Sequence, residues 1–248
     1  STDKLLVSLA SSTVEFIGDK NQIIYAKLDY DNPGMAYIHD LFIYDIDKDD
    51  DKRLTFGLRA NNPSISPDQK NIVFVYQKDG TTNLGTVDIN GKNFKRLTFF
   101  EKGEQVYNPK YSPDGDWIIF DYSYANSREI AKVNSDGSGY EVIIENGSDN
   151  RNPVFKSSNE ILYSSDETGI FNLYTYNLET KAKKRITNVI GGAFMPAIDK
   201  EGNILYSGYT STGYKIFSLP VSSQSEVNDD AKYVKRDNPP LDTDIPKG

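Results

Sequence analysis

The chain carries one histidine, His39, no cysteine, and 36 acidic residues among 248. These residue types bound its chemistry before any fold is considered. Without cysteine there is no thiol nucleophile, disulfide scaffold, or cysteine-ligated zinc or iron–sulfur site. One imidazole cannot supply the several histidine ligands that a metal-dependent lyase would need. In a Ser/His/acid arrangement His39 would be the sole base. No Gly-x-Ser-x-Gly elbow accompanies it, and Gly137-Ser138-Gly139 reads as the turn of a strand hairpin. The acidic residues single out no pair for glycoside chemistry. Segment 45–51, Asp-Ile-Asp-Lys-Asp-Asp-Asp, looks at first like a calcium loop. An EF-hand starting at Asp45 would place Gly sixth and Glu twelfth, where this chain has Asp50 and Phe56. The segment reads instead as a hairpin turn. No catalytic residue, cofactor or metal site is therefore assigned, and binding is the chemistry that remains.

The binding candidates are residues of predicted loops: Tyr37, His39, Arg59, Glu104, Tyr107, Arg151 and Phe194. Tyr37 and His39 belong to an insertion over 28–40 that also holds Tyr30, Pro33 and Met35. The others fall in the loops 57–62, 100–108, 146–152 and 188–195. Aromatic and charged side chains on loops over a rigid scaffold are where binding function concentrates. Formal net charge is −8, which offers no field for a phosphate backbone, so nucleic acid is excluded as a partner. No apolar run approaches the roughly 18 residues of a membrane span. The chain opens Ser1-Thr2-Asp3-Lys4, without Met or a signal segment, as expected of a processed or excised piece.

A repeat positions these loops. Lys52-Arg53-Leu54-Thr55-Phe56 recurs as Lys95-Arg96-Leu97-Thr98-Phe99 and, loosened, as Lys184-Arg185-Ile186-Thr187-Asn188. Pro63, Pro109, Pro153 and Pro196 keep the same period, lying 46, 44 and 43 residues apart. The first three follow Asn, and the Asn-Pro pairs read as turn residues leading into a first strand. Next comes a tight turn, Ser66-Pro67-Asp68-Gln69 or Ser112-Pro113-Asp114-Gly115, because Pro presets φ and Gly tolerates positive φ. An apolar strand follows at 72–76, 117–122, 161–164 and 204–207, with a weaker copy at 23–25. A third strand lies at 41–45, 84–89, 130–133, 173–178 and 215–219, and the Lys-Arg-Leu-Thr element is the fourth.

Four short strands about every 45 residues, without helical periodicity, predict an all-β fold: a β-propeller of four-stranded antiparallel blades. Five blades are visible, starting near 14, 62, 108, 152 and 195, or six if one lies outside the chain. Residues 4–221 form the propeller, and the Pro/Asp/Ser-rich 222–248 is a closing strand or linker that hints at a further domain. Segments 4–7 and 232–236 compete to supply the strand that closes the ring.

The order Pro-x-x-Ser-Pro-Asp-Gly, apolar strand, Gly-containing loop, apolar strand and Lys-Arg-Leu-Thr resembles the WD40-like PD40 repeat of TolB-like propellers. The best copy is 109–122, and the later copies lose the Ser-Pro-Asp-Gly turn. The resemblance covers roughly 4–221. It implies a bacterial cell-envelope or periplasmic setting and a non-enzymatic scaffold that binds a protein or peptide partner at a loop face or the central channel mouth. It also implies six blades where five are counted, and TolB carries an N-terminal domain for which this chain has no room. The alternative is a carbohydrate-binding or carbohydrate-active propeller, because tyrosine faces stack on sugar rings.

Overall fold

A strand that is apolar on both faces must be covered on both sides, and Ile72-Val73-Phe74-Val75 is such a run. The computed structural model, which describes residues 13–30, 36–124 and 127–227, shows how the cover is supplied. β1 (Glu15–Phe16), β2 (Gln22–Tyr30), β3 (Tyr37–Asp45) and β4 (Asp50–Arg53) make the first antiparallel sheet. β5 (Asn61–Ile65), β6 (Asn71–Lys78), β7 (Thr81–Asp88) and β8 (Lys95–Arg96) make the second. The third holds β9 (Gln105–Tyr111), β10 (Trp117–Tyr124), β11 (Ser127–Asn134) and β12 (Glu141–Ile144). The fourth holds β13 (Asn150–Ser157), β14 (Glu160–Ser165), β15 (Asn172–Asn177) and β16 (Lys183–Arg185). Among the described residues the fifth has three strands, β17 (Ala193–Ile198), β18 (Ile204–Thr210) and β19 (Gly213–Leu219). The first strands surround one central cavity, so the sheets are the blades of a β-propeller.

Among the described residues four of the five cores lie between two blades, and the fifth, Ile23, Tyr25, Phe42 and Tyr44, belongs to blade 1 alone. Ile24, Ala26 and Leu41 of blade 1 meet Ile72, Phe74 and Val87 of blade 2. Val73, Val75 and Leu84 of blade 2 meet Ile118, Phe120 and Val133 of blade 3. Ile119 and Ile130 pack on Ile161, Tyr163 and Tyr174, and Leu162 and Leu173 pack on Ile204. Trp117 is half-buried at the rim of the third of these cores, with the Lys132 ammonium 4.1 Å above its ring.

The Lys-Arg-Leu-Thr element is a connector more than a strand. Its threonine accepts a hydrogen bond from a third-strand backbone N–H and donates to the side chain one residue earlier. Leu41 N donates to Thr55 Oγ1 at 2.9 Å and Thr55 Oγ1 donates to Asp40 Oδ1 at 2.7 Å. Blade 2 repeats this with Leu84, Thr98 and Asn83, and blade 4 with Leu173, Thr187 and Asn172. The arginine folds back to the threonine carbonyl, at 2.8 Å for Arg53 and 2.6 Å for Arg96. Leu54, Leu97 and Ile186 are then delivered, buried, between blades. The Ser-Pro-Asp-Gly turn is closed the same way each time. Ser66 and Ser112 donate to Asp68 and Asp114, and each serine oxygen accepts the backbone N–H that starts the next strand.

Three expectations need correction or limits. The 28–40 insertion is a lengthened β2–β3 hairpin, with Leu28 opposite His39 and Tyr30 opposite Tyr37, so Tyr37 and His39 are strand residues. Continuing the ladder satisfies backbone groups that a loop would leave to water. Residues 31–35, including Pro33 and Met35, lie outside the described residues. The Asn-Pro pairs lie inside the first strands, where each marks a register shift. Both candidate closing segments, 4–7 and 232–236, also lie outside the described residues. Segment 45–51 is the β3–β4 hairpin, with Asp45 paired to Asp50. Four of its five carboxylates are already engaged, Asp49 by the Tyr44 hydroxyl. Asp45 accepts from Gln22 and Lys48, Asp47 from Asn21, and Asp51 from Tyr25 and Lys27.

Candidate functional site

The central cavity has a volume of about 1110 Å³, and its wall is built from first strands and the turns beside them. Asn62, Asn108, Asn152 and Met195 occupy equivalent places in it, and all four have positive φ, 48°, 49°, 54° and 51°. A β-bulge with its extra residue left-handed bends the strand and re-aims that side chain. Asparagine tolerates this conformation because its short amide can bond locally, and Pro at the next position fixes the chain beyond it. In blade 5 Met195 fills the place with an exposed thioether.

The asparagines link neighbouring blades. Asn62 Nδ2 donates to Asn108 Oδ1 at 3.0 Å, and Asn108 Nδ2 donates to Asp121 Oδ2 at 3.0 Å. The backbone N–H of Asn152 donates to Asp121 Oδ1, also at 3.0 Å. Asp121 therefore ties the bulges of blades 3 and 4 together from a fully buried position on β10. Arg128 Nη1 stands 3.5 Å from its Oδ2. Burial pushes the Asp121 carboxyl up to about 7, against the opposing pull of Asn108, Arg128, the Asn152 N–H and Arg151. Deeper in the channel Glu15 spans three blades: Ile65 N donates to Oε2 at 2.6 Å and Lys110 Nζ to Oε1 at 2.5 Å. The carboxylate and ammonium groups on the channel wall are thus paired with each other, leaving a wall of amides, prolines and apolar side chains.

The seven sequence candidates separate in the structure. Tyr107, Arg151 and Phe194 belong to one string of contacts across blades 3, 4 and 5. Arg128 lies 4.2 Å above the Tyr107 ring and 3.9 Å from Asp149. Asp149 takes both donors of a forked pair from Arg151, and Arg151 lies 5.1 Å above Phe171. Phe171 packs on Phe194 at 5.1 Å between ring centroids. The other four stand apart. Tyr37 is exposed and packs on Tyr30. His39 is half-buried, and its carbonyl accepts Ala60 N. Arg59 is exposed with φ 52°. Glu104 is buried and accepts the Lys102 N–H at 2.6 Å, a loop-closing role.

Sequence reasoning missed Asp121, Arg128 and Asp149. Asp121 had a signal, since it is the one charge inside the run Trp117-Ile118-Ile119-Phe120-Asp121-Tyr122, and a buried charge marks a place where structure is committed to it. Arg128 and Asp149 carry no comparable signal in a chain so rich in charge.

Comparison with known proteins agrees with this architecture. No curated protein sequence matches the chain. Among solved structures, TolB from Acinetobacter baumannii superposes with a TM-score of 0.65 at 17% identity, covering 82% of this chain and 50% of that one. A Mycobacterium tuberculosis puromycin-hydrolyzing peptidase gives 0.65 at 14% identity, covering 90% and 39%. Oligogalacturonate lyase from Vibrio parahaemolyticus gives 0.60 at 15%, covering 86% and 63%. The chain thus spans half or less of the TolB and peptidase chains, and identities this low establish the fold alone. The family model described as TolB beta propeller domain, PD40, matches residues 36–201. Two thirds of the sequence therefore carries the signature that its repeats announce, and the chain belongs to the TolB beta propeller domain family.

Proposed function

We propose that the chain is a non-enzymatic interaction module of a bacterial cell-envelope protein, and that its channel mouth receives a protein loop or extended peptide. The observation that carries this reading is the set of asparagines held left-handed at the mouth. Such backbone strain, repeated in blade after blade, is retained where a side chain must be aimed. Amides both donate and accept, as a peptide main chain requires, and the proline and apolar wall supplies contact area without selecting for charge. Membership of the TolB propeller family supports the envelope setting.

Asn152→Gly tests it. Glycine keeps the left-handed φ without strain, and the backbone N–H that holds Asp121 is untouched. The variant should fold as the parent does and bind an envelope protein captured by the parent about 3–10-fold more weakly, the worth of one net hydrogen bond. Capture undiminished in Asn152→Gly, or retention of glycans with no protein captured, would contradict the proposal.

A further inference from the structure

Three connectors carry a residue whose backbone N–H is held by the same side chain of the third strand. Gly57 N donates to Asp40 Oδ2 at 2.8 Å, Phe100 N to Asn83 Oδ1 at 2.8 Å, and Val189 N to Asn172 Oδ1 at 3.1 Å. Phe100 and Val189 pack from that place into the core shared with the next blade. The Phe100 ring lies 5.2 Å from Tyr122 and 5.3 Å from Tyr140, and Tyr140 also packs on Phe120 and Tyr122. Blade 2 repeats this aromatic corner. Phe74 and Tyr76 pair with Gly85 and Asn83 as Phe120 and Tyr122 pair with Ala131 and Glu129. Phe94 lies 6.2 Å from Phe74 and 5.4 Å from Tyr76, and Gly85 admits it, since a Cβ there would stand 2.7 Å from its ring. Only the third ring is missing. Gly57 stands where Phe100 stands in the next connector, and a Cβ on it would meet nothing within 4 Å. A groove of about 740 Å³ therefore opens beside Tyr76 and Phe94.

We propose that this groove receives an aromatic side chain from an acidic segment of a partner protein, seated as Phe100 is seated in the next blade. The fit is to a ring carried on a peptide, because a connector of this chain delivers one to the equivalent place. The rim sets the sign of what flanks the ring. Arg59, Lys78 and Arg96 line the groove against one carboxylate, Asp79. Among the described residues no ion pair reaches any of the three cations, and Arg96 donates to the carbonyls of Thr98 and Phe100. Local positive charge on a chain of net −8 selects carboxylates and steers them in. Cations beside the groove also favour the face of an inserted ring. The chain's own residues outside the described ones hold a single aromatic, Tyr233, whose nearest charges in sequence are Lys232 and Lys235, the wrong sign for this rim. Blades 1 and 2 follow one another in the chain, so continuation of the ring beyond blade 5 does not cover their boundary. The groove shares no lining residue with the central cavity, so it stands independently of the proposed channel function.

Backbone amide shifts of the isotopically labelled whole chain test this by titration. The probe is a blocked peptide with one Phe between two pairs of Asp, beside two controls, one with Ala for the Phe and one with Lys for every Asp. At low ionic strength the acidic peptide should give saturable shifts at 57–59, 76–80 and 94–96, and each control should bind roughly 10-fold more weakly. Arg59→Glu combined with Lys78→Glu should weaken the acidic peptide by a similar factor, whereas Asn152→Gly, in the channel, should leave it unchanged. Arg59 and Lys78 are both exposed, so the double variant should keep the parent's circular dichroism and thermal midpoint. An absence of shifts in the groove, equal binding of either control, or indifference to the double substitution would overturn the proposal. So would shifts centred on Asn62, Asn108 and Asn152, or groove shifts that appear without peptide as protein concentration rises, which would make a second copy the occupant.

Discussion

Asp121→Asn is expected to make the propeller more stable above neutral pH and to flatten its pH dependence. The wild-type carboxyl is fully buried and titrates near 7 in the folded chain, against about 3.9 when unfolded. Between those values the folded chain retains a proton that the unfolded chain has released. The group's contribution is therefore complete below about pH 4 and is lost as pH rises through 7. At about 1.36 kcal/mol per pH unit, three units amount to roughly 4 kcal/mol over the whole interval from pH 4 to pH 7. Urea unfolding at pH 5 and pH 8 should show the wild type losing on the order of 1–3 kcal/mol more than Asp121→Asn, because only the two units from pH 5 to pH 7 fall inside that window. Asparagine can still accept from the Asn152 N–H, so the link between blades 3 and 4 survives. Equal losses in the two proteins would mean that Asp121 is ionised throughout.

The second large effect lies at the connector of blade 1. Asp40 is fully buried and accepts four hydrogen bonds, from Arg53 Nη2 and Thr55 Oγ1 at 2.7 Å, Gly57 N at 2.8 Å and Leu58 N at 3.3 Å. Removing one partner of a buried charge pair leaves the other without compensation and strands the remaining donors. Asp40→Ala should destabilise by about 3–5 kcal/mol in chemical denaturation. Blades 2 and 4 use asparagine at the same place, so Asp40→Asn keeps the bond to Thr55 and should cost only about 1–2 kcal/mol. Equal losses for the two substitutions would show that the charge, and not the connector geometry, holds this corner.

The reasons for what could be read from sequence are visible in these two residues. The blade count, the hairpins and the strand order follow from signals that repeat, Pro63 through Pro196 and the Lys-Arg-Leu-Thr elements, and repetition separates a structural requirement from chance. The connector follows too, once Asp40, Asn83 and Asn172 are seen to precede Leu41, Leu84 and Leu173. The site was legible only in fragments. Tyr107, Arg151 and Phe194 are joined through Arg128, Asp149 and Phe171, and contacts between blades have no fixed sequence spacing. Asn-Pro is turn chemistry, and only the register shows the asparagine bulges inside strands. The lengthened first hairpin looks like a loop in sequence because its polar residues, among them Asp29 and His39, lack the apolar continuity of the other second and third strands.

The central claim is that each of blades 1 to 4 hides its apolar face on the next, and a double-mutant cycle across one boundary tests it most directly. Val75 of blade 2 and Phe120 of blade 3 share one inter-blade core, whereas Leu162 belongs to the boundary of blades 4 and 5. The account predicts a coupling of about 0.5–3 kcal/mol between Val75→Ala and Phe120→Leu. It predicts additivity within about 0.5 kcal/mol between Phe120→Leu and Leu162→Ala. Additivity in the first pair, or equal coupling in both, would contradict a propeller whose cores lie between successive blades.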